Sequence, residues 1–590
     1  MSRAKQRADR IREEIDITQV LADYGYRVNP NGGDREQQFS CDLHGDGSDS
    51  KPSARVYPSS HSWYCVSVHE RVLTEWGWVK LHHLERLTSL SVLDGQANWN
   101  NPTAYIPRGE REVVRVKTAA GYEVTVTPDH EIEVVGRGWL RAGALRAGDV
   151  LVVPRPSRPQ FNPVEDSLAA YGLAQINAQR FGNRPSLNLP LRWSQEVGEV
   201  LGYVFGDGWV VPRESPASGV VGLTSHADDA EDARVIFKHM KDWAGGRGSE
   251  VHRTDVSTVG GKQYVQNQYV FSVGNDGFVE FFLRLGLNKD EPAAQRRLPE
   301  SLWFAPECGI RGFLRGVYAT DGSVYRPTGR SGVRVNLYSV SGAFLRDVQL
   351  LLLQFGIHSR LHAPSNTLSE AGKREHPCWY LQLATGKDVL LFREHIGISN
   401  RRKQAVLDSY VYNHRGSRPF KPVVESVEPA GVVEVADLSM PVDPSFVASG
   451  IKVHNCFACG RPRDAIQTCR EKEGQDFWTA VKTLEARYNL PQMPWEDEVE
   501  PPHPHTVSDQ VRDALKSDFT YAEEKARVER YLQIATDERE VAMMTVLSLW
   551  EAFDIVTLDV ENGVLTEDRG RVALVALLHK AQDLFLGKAT

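Results

Sequence analysis

Cys456 and Cys459 form a Cys-x2-Cys pair in the stretch GIKVHNCFACG, and the partner with metal-ligand spacing is CDLH, far upstream, holding Cys41 and His44. Three thiolates and one imidazole suit a tetrahedral Zn²⁺ site. Most of the chain nevertheless lies between the two pairs, and it carries further reactive groups. Cys65 opens CVSVHERVL, Thr127 and His130 form a Thr-x-x-His group, and Asn455 directly precedes Cys456. A thiol that attacks a neighbouring carbonyl makes an activated acyl group, and an imidazole in reach can move the proton. Asp207 and Asp321 stand near the ends of two similar stretches, VLGYVFGDG and LRGVYATDG, which share Gly-x4-Asp-Gly. Two carboxylates brought together collect Mg²⁺, which activates water and steadies a leaving oxygen.

The elements that must position these groups change character along the chain. At 590 residues the chain is too long for one core and predicts several domains. Residues 8–26 place Ile11, Ile15, Ile17, Val20 and Leu21 at helical spacing. From 65 to about 155 apolar and polar residues alternate, and EVVRVKTAAGYEVTV reads as a hairpin. Residues from about 165 to 420 mix helices and strands, and β texture returns over 422–455. Helical segments follow, broken by PQMPWEDEVEPPHPH. The pattern predicts one β domain interrupted by an insertion and itself inserted in a partly helical protein.

Composition sets the outer limits. A hydrophobic content of 41% and charged content of 25% are ordinary for a globular protein. The net charge of -8 means that any nucleic-acid surface must be local. Seven cysteines argue against a disulfide framework, and Cys308, Cys378 and Cys469, with no partner motif, are expected to be structural. No long apolar run is present and MSRAKQRADRIREE is too polar for a secretory signal, so a cytoplasmic location is expected.

The flanking β segments resemble an intein, a self-splicing domain of the all-β Hint (horseshoe) fold. CVSVHERVLTEWGWVKL resembles its first block, GYEVTVTPDHEIEV its Thr-x-x-His block, and VVEVADLSMPVDPSFVASGIKVHN followed by Cys its final blocks and junction. The resemblance implies that residues 65–455 are excised and that Tyr64 is joined to Cys456. Cys65 and Cys456 would be the nucleophiles, with Thr127 and His130 acting at the first junction. His454 and Asn455 would act at the second, and Asp437 would activate the downstream nucleophile. Pro444 stands where many inteins carry a histidine, which leaves open a splicing-defective or inert intein beside an active nuclease.

The paired Gly-x4-Asp-Gly stretches resemble the motif of LAGLIDADG homing endonucleases, an α/β fold with two pseudo-symmetric repeats. The resemblance implies Asp207 and Asp321 as Mg²⁺ ligands and double-stranded DNA as the partner, read by β-sheets in the major groove. KQYVQNQYVFSV and SGVRVNLYSVS are the expected reading strands, SNRRKQAVL a phosphate contact, and Lys289 a candidate catalytic lysine.

With 65–455 removed, Cys41, His44, Cys456 and Cys459 become a compact zinc-ribbon-like module resembling the zinc-binding domain of bacterial DNA primases. That likeness implies a host acting in DNA replication with single-stranded DNA and replication proteins as partners, itself non-enzymatic or a primase accessory. His61, Trp63, Tyr64 and Phe457 would supply stacking surface beside Arg461 and Arg463. The expected domains are 1–64 and 456–495 for the zinc module and 65–160 with 422–455 for the splicing domain. The endonuclease takes 161–421, and a helical region takes 506–590.

Overall fold

The computed structural model describes residues 10–11, 15, 17–30, 37–39 and 54–56, most of 65–455, and residues 465–475, 477–490, 520–537, 543–561 and 565–585. Within 65–455 the residues outside the description are 88–89, 163–167, 169–170, 172, 179–185, 213–218, 260–261, 288–291, 329–331, 365–377 and 413–418. Among the described residues no helix is long and apolar enough to cross a membrane.

Two β layers are built from both ends of the 65–455 stretch. Strands Val66–Ser67, Ala104–Thr118, Glu123–Val126 and Val424–Ser439 close a small barrel. Their period-two pattern is the cause: Val116 and Thr118 are buried while Arg115 and Lys117 on the other face reach solvent. Val424–Ser439 runs antiparallel along nearly the whole of Ala104–Thr118. The second sheet seats the late strands Ser445–Ala448 and Ile451–His454 between Glu131–Val134 and Arg71–Thr74.

The insertion repeats one unit twice, a helix followed by two strands, a helix, two strands and a helix. Its two four-stranded antiparallel sheets have matching orders: 208–211, 220–226, 262–274, 249–259 in the first, and 322–325, 334–339, 379–383, 359–362 in the second. Each unit opens with a motif helix, Gln195–Asp207 or Glu307–Thr320. Glycines let these two helices touch backbone to backbone. A Cβ at Gly198 would lie 2.2 Å from Gly309 O, and one at Gly202 would lie 2.4 Å from Phe313 O and 2.9 Å from Gly316 Cα. Arg315 crosses the seam to Glu199 at 2.5 Å. The insertion and the β layers share one continuous core. Trp78 Nε1 donates to Leu350 O at 2.8 Å, and the Arg71 guanidinium lies 3.8 Å above the Trp303 ring.

Outside 65–455, helix Ile17–Asp23 and the helices Ala465–Glu473 and Phe477–Arg487 meet in a second core of Ile11, Ile15, Val20, Ile466, Cys469, Val481 and Leu484. Arg10 pairs with Glu485 at 2.9 Å, and Tyr488 donates to Asp23 at 2.5 Å. The segments before Cys65 and after Asn455 are thus packed on each other while the long stretch between them is still present. Three further helices, Tyr521–Asp537, Met543–Glu561 and Glu567–Phe585, form a bundle around Leu532, Phe553 and Leu574.

Gly316→Val would drive a side chain into Glu199 O, 2.7 Å from the added Cβ, and into the Gly202 backbone. We expect at least about 2 kcal/mol of destabilisation, read as a lower denaturation midpoint of the insertion, because backbone cannot repack as a side chain can. An unchanged midpoint would contradict the close approach of the two helices.

Candidate splicing and endonuclease sites

The β scaffold brings Cys65, Thr127, His130, His454 and Asn455 together. Cys65 is buried, and its strand pairs Val66 with Val126, which fixes Thr127 beside it. Thr127 N donates to Cys65 O at 3.0 Å, and Cys65 N donates to Thr127 Oγ1 at 3.3 Å. The Pro128–Asp129 turn after Thr127 carries His130 back, with His130 N donating to Thr127 O at 3.0 Å. Pairing of Ile132 with Val453 then lays His130 against the last strand. The His130 ring is fully buried beside the backbone of both Cys65 and His454. Burial, reinforced by the charge of His454, pushes its pKa down to about 3, so it rests uncharged at neutral pH.

At the other junction, His454 Nδ1 lies 2.6 Å from Asn455 O, and its ring stands edge-on to Trp139 with centroids 4.7 Å apart. Asn455 is buried, its Nδ2 donating to Met440 O at 3.3 Å and its backbone N to Pro444 O at 2.9 Å. The backbone of residue 444 therefore serves the junction although its side chain carries no imidazole. Asp437 is fully buried, and its Oδ1 accepts from Leu438 N at 2.7 Å.

The second site lies where the motif helices end. Asp207 closes the first helix and Asp321 caps the second. Gly206 leaves room between them: a Cβ there would lie 3.1 Å from Asp321 Oδ2. Among the described residues the lysine at this point is Lys403; the candidate Lys289 lies outside the described residues. Lys403 Nζ donates to Tyr318 O, Ala319 O and Thr320 O at 3.3, 2.6 and 3.2 Å. Burial lowers its pKa, while the carboxylates of Asp229, Asp207 and Asp321 act to raise it. Lys403 therefore senses both motif aspartates. The helix ends bring Asp207 and Asp321 to one place, and among the described residues no cluster of three or more His, Cys, Asp or Glu side chains forms a metal site.

Other expectations need correction. Arg401 and Arg402 of SNRRKQAVL pair with Asp232 at 2.6 Å and Asp229 at 2.8 Å while their side chains stay largely exposed. Asn336 of the second reading strand is buried and bonded to Tyr338 and Gln382, whereas Gln266 and Asn267 of the first are exposed. Cys469 is buried and Cys308 half-buried as structural residues are, but Cys378 is exposed at a strand start. Cys41, His44, Cys456 and Cys459 lie outside the described residues, as do His61, Trp63, Tyr64, Phe457, Arg461 and Arg463.

Comparison with known proteins agrees with this division. Residues 309–397 match the family model described as a LAGLIDADG-like domain. The tRNA-splicing ligase RtcB of Pyrococcus abyssi (strain GE5 / Orsay) is 25% identical over 324 residues, covering 50% of this chain and 35% of that protein. The replicative DNA helicase DnaB of Rhodothermus marinus is 25% identical over 319 residues, covering 53% and 29%. The chain thus spans about a third of the length of these curated relatives. Among solved structures, a G-1F mutant of the Ssp DnaB mini-intein variant M86 is similar with 9% identity and a TM-score of 0.20, covering 66% of this chain and 98% of that one. The homing endonuclease I-WcaI bound to its DNA recognition sequence is similar with 11% identity and a TM-score of 0.26, covering 41% and 92%. The chain therefore carries a LAGLIDADG-like domain over residues 309–397.

The depressed His130 pKa has a measurable consequence. As the pH falls below about 6.5, the unfolded chain takes up a proton that the folded imidazole refuses. Stability should fall between about pH 6.5 and pH 3 by up to about 1.4 kcal/mol per pH unit. In a chain held intact by Cys65→Ala and Asn455→Ala, His130→Gln should flatten the pH dependence of the urea midpoint. Identical slopes would overturn it.

Proposed function

We propose that this chain is a precursor that excises residues 65–455 and joins Tyr64 to Cys456, and that the excised segment is a site-specific DNA endonuclease. The observation that carries the splicing reading is the buried His130 ring set beside the backbone of both Cys65 and His454. One imidazole in that position can serve a proton transfer at the first junction while holding the second close.

In this mechanism the Cys65 thiol attacks the Tyr64 carbonyl carbon. The thiol proton passes through His130, neutral at rest, to the Cys65 nitrogen as the peptide C–N bond breaks, leaving a thioester. Thr127 holds both backbone groups of Cys65 and so fixes the amide that must leave. Cys456 then attacks the thioester and releases the Cys65 thiol. Asn455 Nδ2 attacks its own carbonyl carbon, whose oxygen is polarised by His454 Nδ1, and the bond to Cys456 nitrogen breaks. The freed amine takes the acyl group from sulfur and closes a normal peptide bond. Asp437, buried on the strand that flanks Cys65, would assist the Cys456 thiol. Matches of just over 300 residues to a ligase and a helicase, proteins with unrelated names, support a segment shared between different hosts.

For the endonuclease, Asp207 and Asp321 would hold Mg²⁺, which supplies an activated water and charge neutralisation at the scissile phosphate. Lys403 would stabilise charge beside them, and the exposed residues of strand Lys262–Gly274 would face double-stranded DNA. The host reading, a primase-like module with Zn²⁺ on Cys41, His44, Cys456 and Cys459 that acts on single-stranded DNA in the cytoplasm, draws support from the joint core of the two flanking segments. Such a core is what two halves of one domain would share.

Intact-mass analysis after expression tests splicing. We expect one product of residues 65–455 and one of 1–64 joined to 456–590, with Cys65→Ala plus Asn455→Ala leaving only full-length chain. Full-length chain from the unsubstituted sequence would refute the reading and favour an inert intein. Cleavage tests the nuclease. Asp207→Asn or Asp321→Asn should abolish Mg²⁺-dependent cutting of DNA carrying the uninterrupted host gene, and Lys403→Ala should slow it about 100-fold, with splicing yield unchanged in all three. Unimpaired cutting by either aspartate variant would remove the metal assignment.

A further inference from the structure

Glu70 stands in the turn that follows Cys65 and touches both other segments of the splicing site. Its Oε1 accepts from Thr125 N at 2.9 Å, two residues before Thr127. Its Oε2 accepts from Ser449 Oγ. Ser449 is the tip of the hairpin whose second strand, Ile451–His454, leads directly into Asn455. The two chains are laced further at this point: Arg71 N donates to Ser449 Oγ at 3.4 Å, and Ser449 N donates to Arg71 O at 2.7 Å.

The tip itself is unusual for its residue. Ser449 and Gly450 both have positive φ, 45° and 88°, the geometry of a two-residue turn that favours Asn-Gly. Serine is not what this turn selects for its own sake, so its hydroxyl has another use, and Glu70 is the group it meets. Glu70 and Ser449 border a polar cavity of about 400 Å³ between the β layers and the insertion. Gly450 packs closely on Tyr122 and Leu353, while Ser449 is held by the polar lacing. Burial pushes the Glu70 carboxyl above its ordinary range while the hydrogen bonds from Ser449 and Thr125 oppose this, so a glutamine at this position keeps the same acceptor for Thr125 N.

We propose that Glu70 is a positioning residue that latches the hairpin carrying His454 and Asn455 to the strand leading to Thr127 and His130. This rests on the splicing reading and adds the device that keeps the two junctions in register. The latch does not touch the reacting atoms. Its loss lets each junction react without the other, because a small misplacement of either strand separates Cys456 from the thioester.

The experiment measures, by intact mass, the ratio of joined host to single-junction cleavage products in the full chain. Glu70→Ala should lower that ratio about tenfold, and Glu70→Gln should keep it near that of the unsubstituted chain. Ser449→Gly keeps the turn geometry but removes the hydroxyl, so it should lower the ratio as Glu70→Ala does. The double variant should be no worse than either single one. Additive losses, a Gln variant as damaging as Ala, or an unchanged ratio in Ser449→Gly would overturn the latch. Should Glu70→Ala not fold, the Ser449→Gly and Glu70→Gln outcomes still decide the matter. An unsubstituted chain that does not splice would instead remove the splicing reading, and the latch with it.

Discussion

Everything chemical in the β domain depends on one backbone pairing, Val424–Ser439 laid along Ala104–Thr118 across a whole inserted domain. The pairing returns the chain to its starting point. From there the hairpin Ser445–His454 can slot between Glu131–Val134 and Arg71–Thr74, and the last residues come to lie beside the first. Period-two alternation on both strands drives it, since slipping by one residue would turn Val116 out and Lys117 into the barrel. The insertion costs little to this closure, because loop-closure entropy grows only slowly with length and the insertion is itself folded.

A second constraint, the absence of Cβ atoms at Gly198, Gly202, Gly312 and Gly316, works the same way for the insertion. Backbone contact between two helices sets their crossing, and their crossing sets where Asp207 and Asp321 end. The basic helix Arg401–Asp408 completes this arrangement. Its arginines lock onto Asp229 and Asp232 and hold Lys403 across the carbonyl end of the second motif helix. Two chemistries thus sit in one continuous core, each organised by backbone contacts and not by long side chains.

The flanking host segments show the same economy. Their shared core of Ile11, Val20, Ile466 and Leu484 forms with residues 65–455 still in place, so the proposed excision would act between parts already in contact. The proposed acyl transfer from Tyr64 to Cys456 would benefit, because proximity replaces a bimolecular search.

Much of the splicing site was legible because its groups lie in short motifs. Cys65, Thr127, His130 and the His454–Asn455–Cys456 run are named by residue type and order, and the alternating flanks announce the strands that carry them. The doubled Gly-x4-Asp-Gly pattern likewise announces two helices with bare faces. Lys403 was not legible as the partner of the aspartates. Its neighbours Arg401 and Arg402 read as a solvent-facing basic run and stay largely exposed while pairing with Asp232 and Asp229, so nothing in the run singled out Lys403 as the inward-facing member. Asn336 and Cys378 exchanged their expected places because strand registry and strand ends, not residue type, decide which face meets solvent. The sequence by itself determined the reactive groups, their order and the two periodicities. Tertiary structure alone decided that His130 is buried beside both Cys65 and His454 with its pKa held low, that Lys403 meets the aspartates, and that Glu70 reaches Ser449. Each of those is a contact between segments whose separation along the chain carries no information about their distance in space.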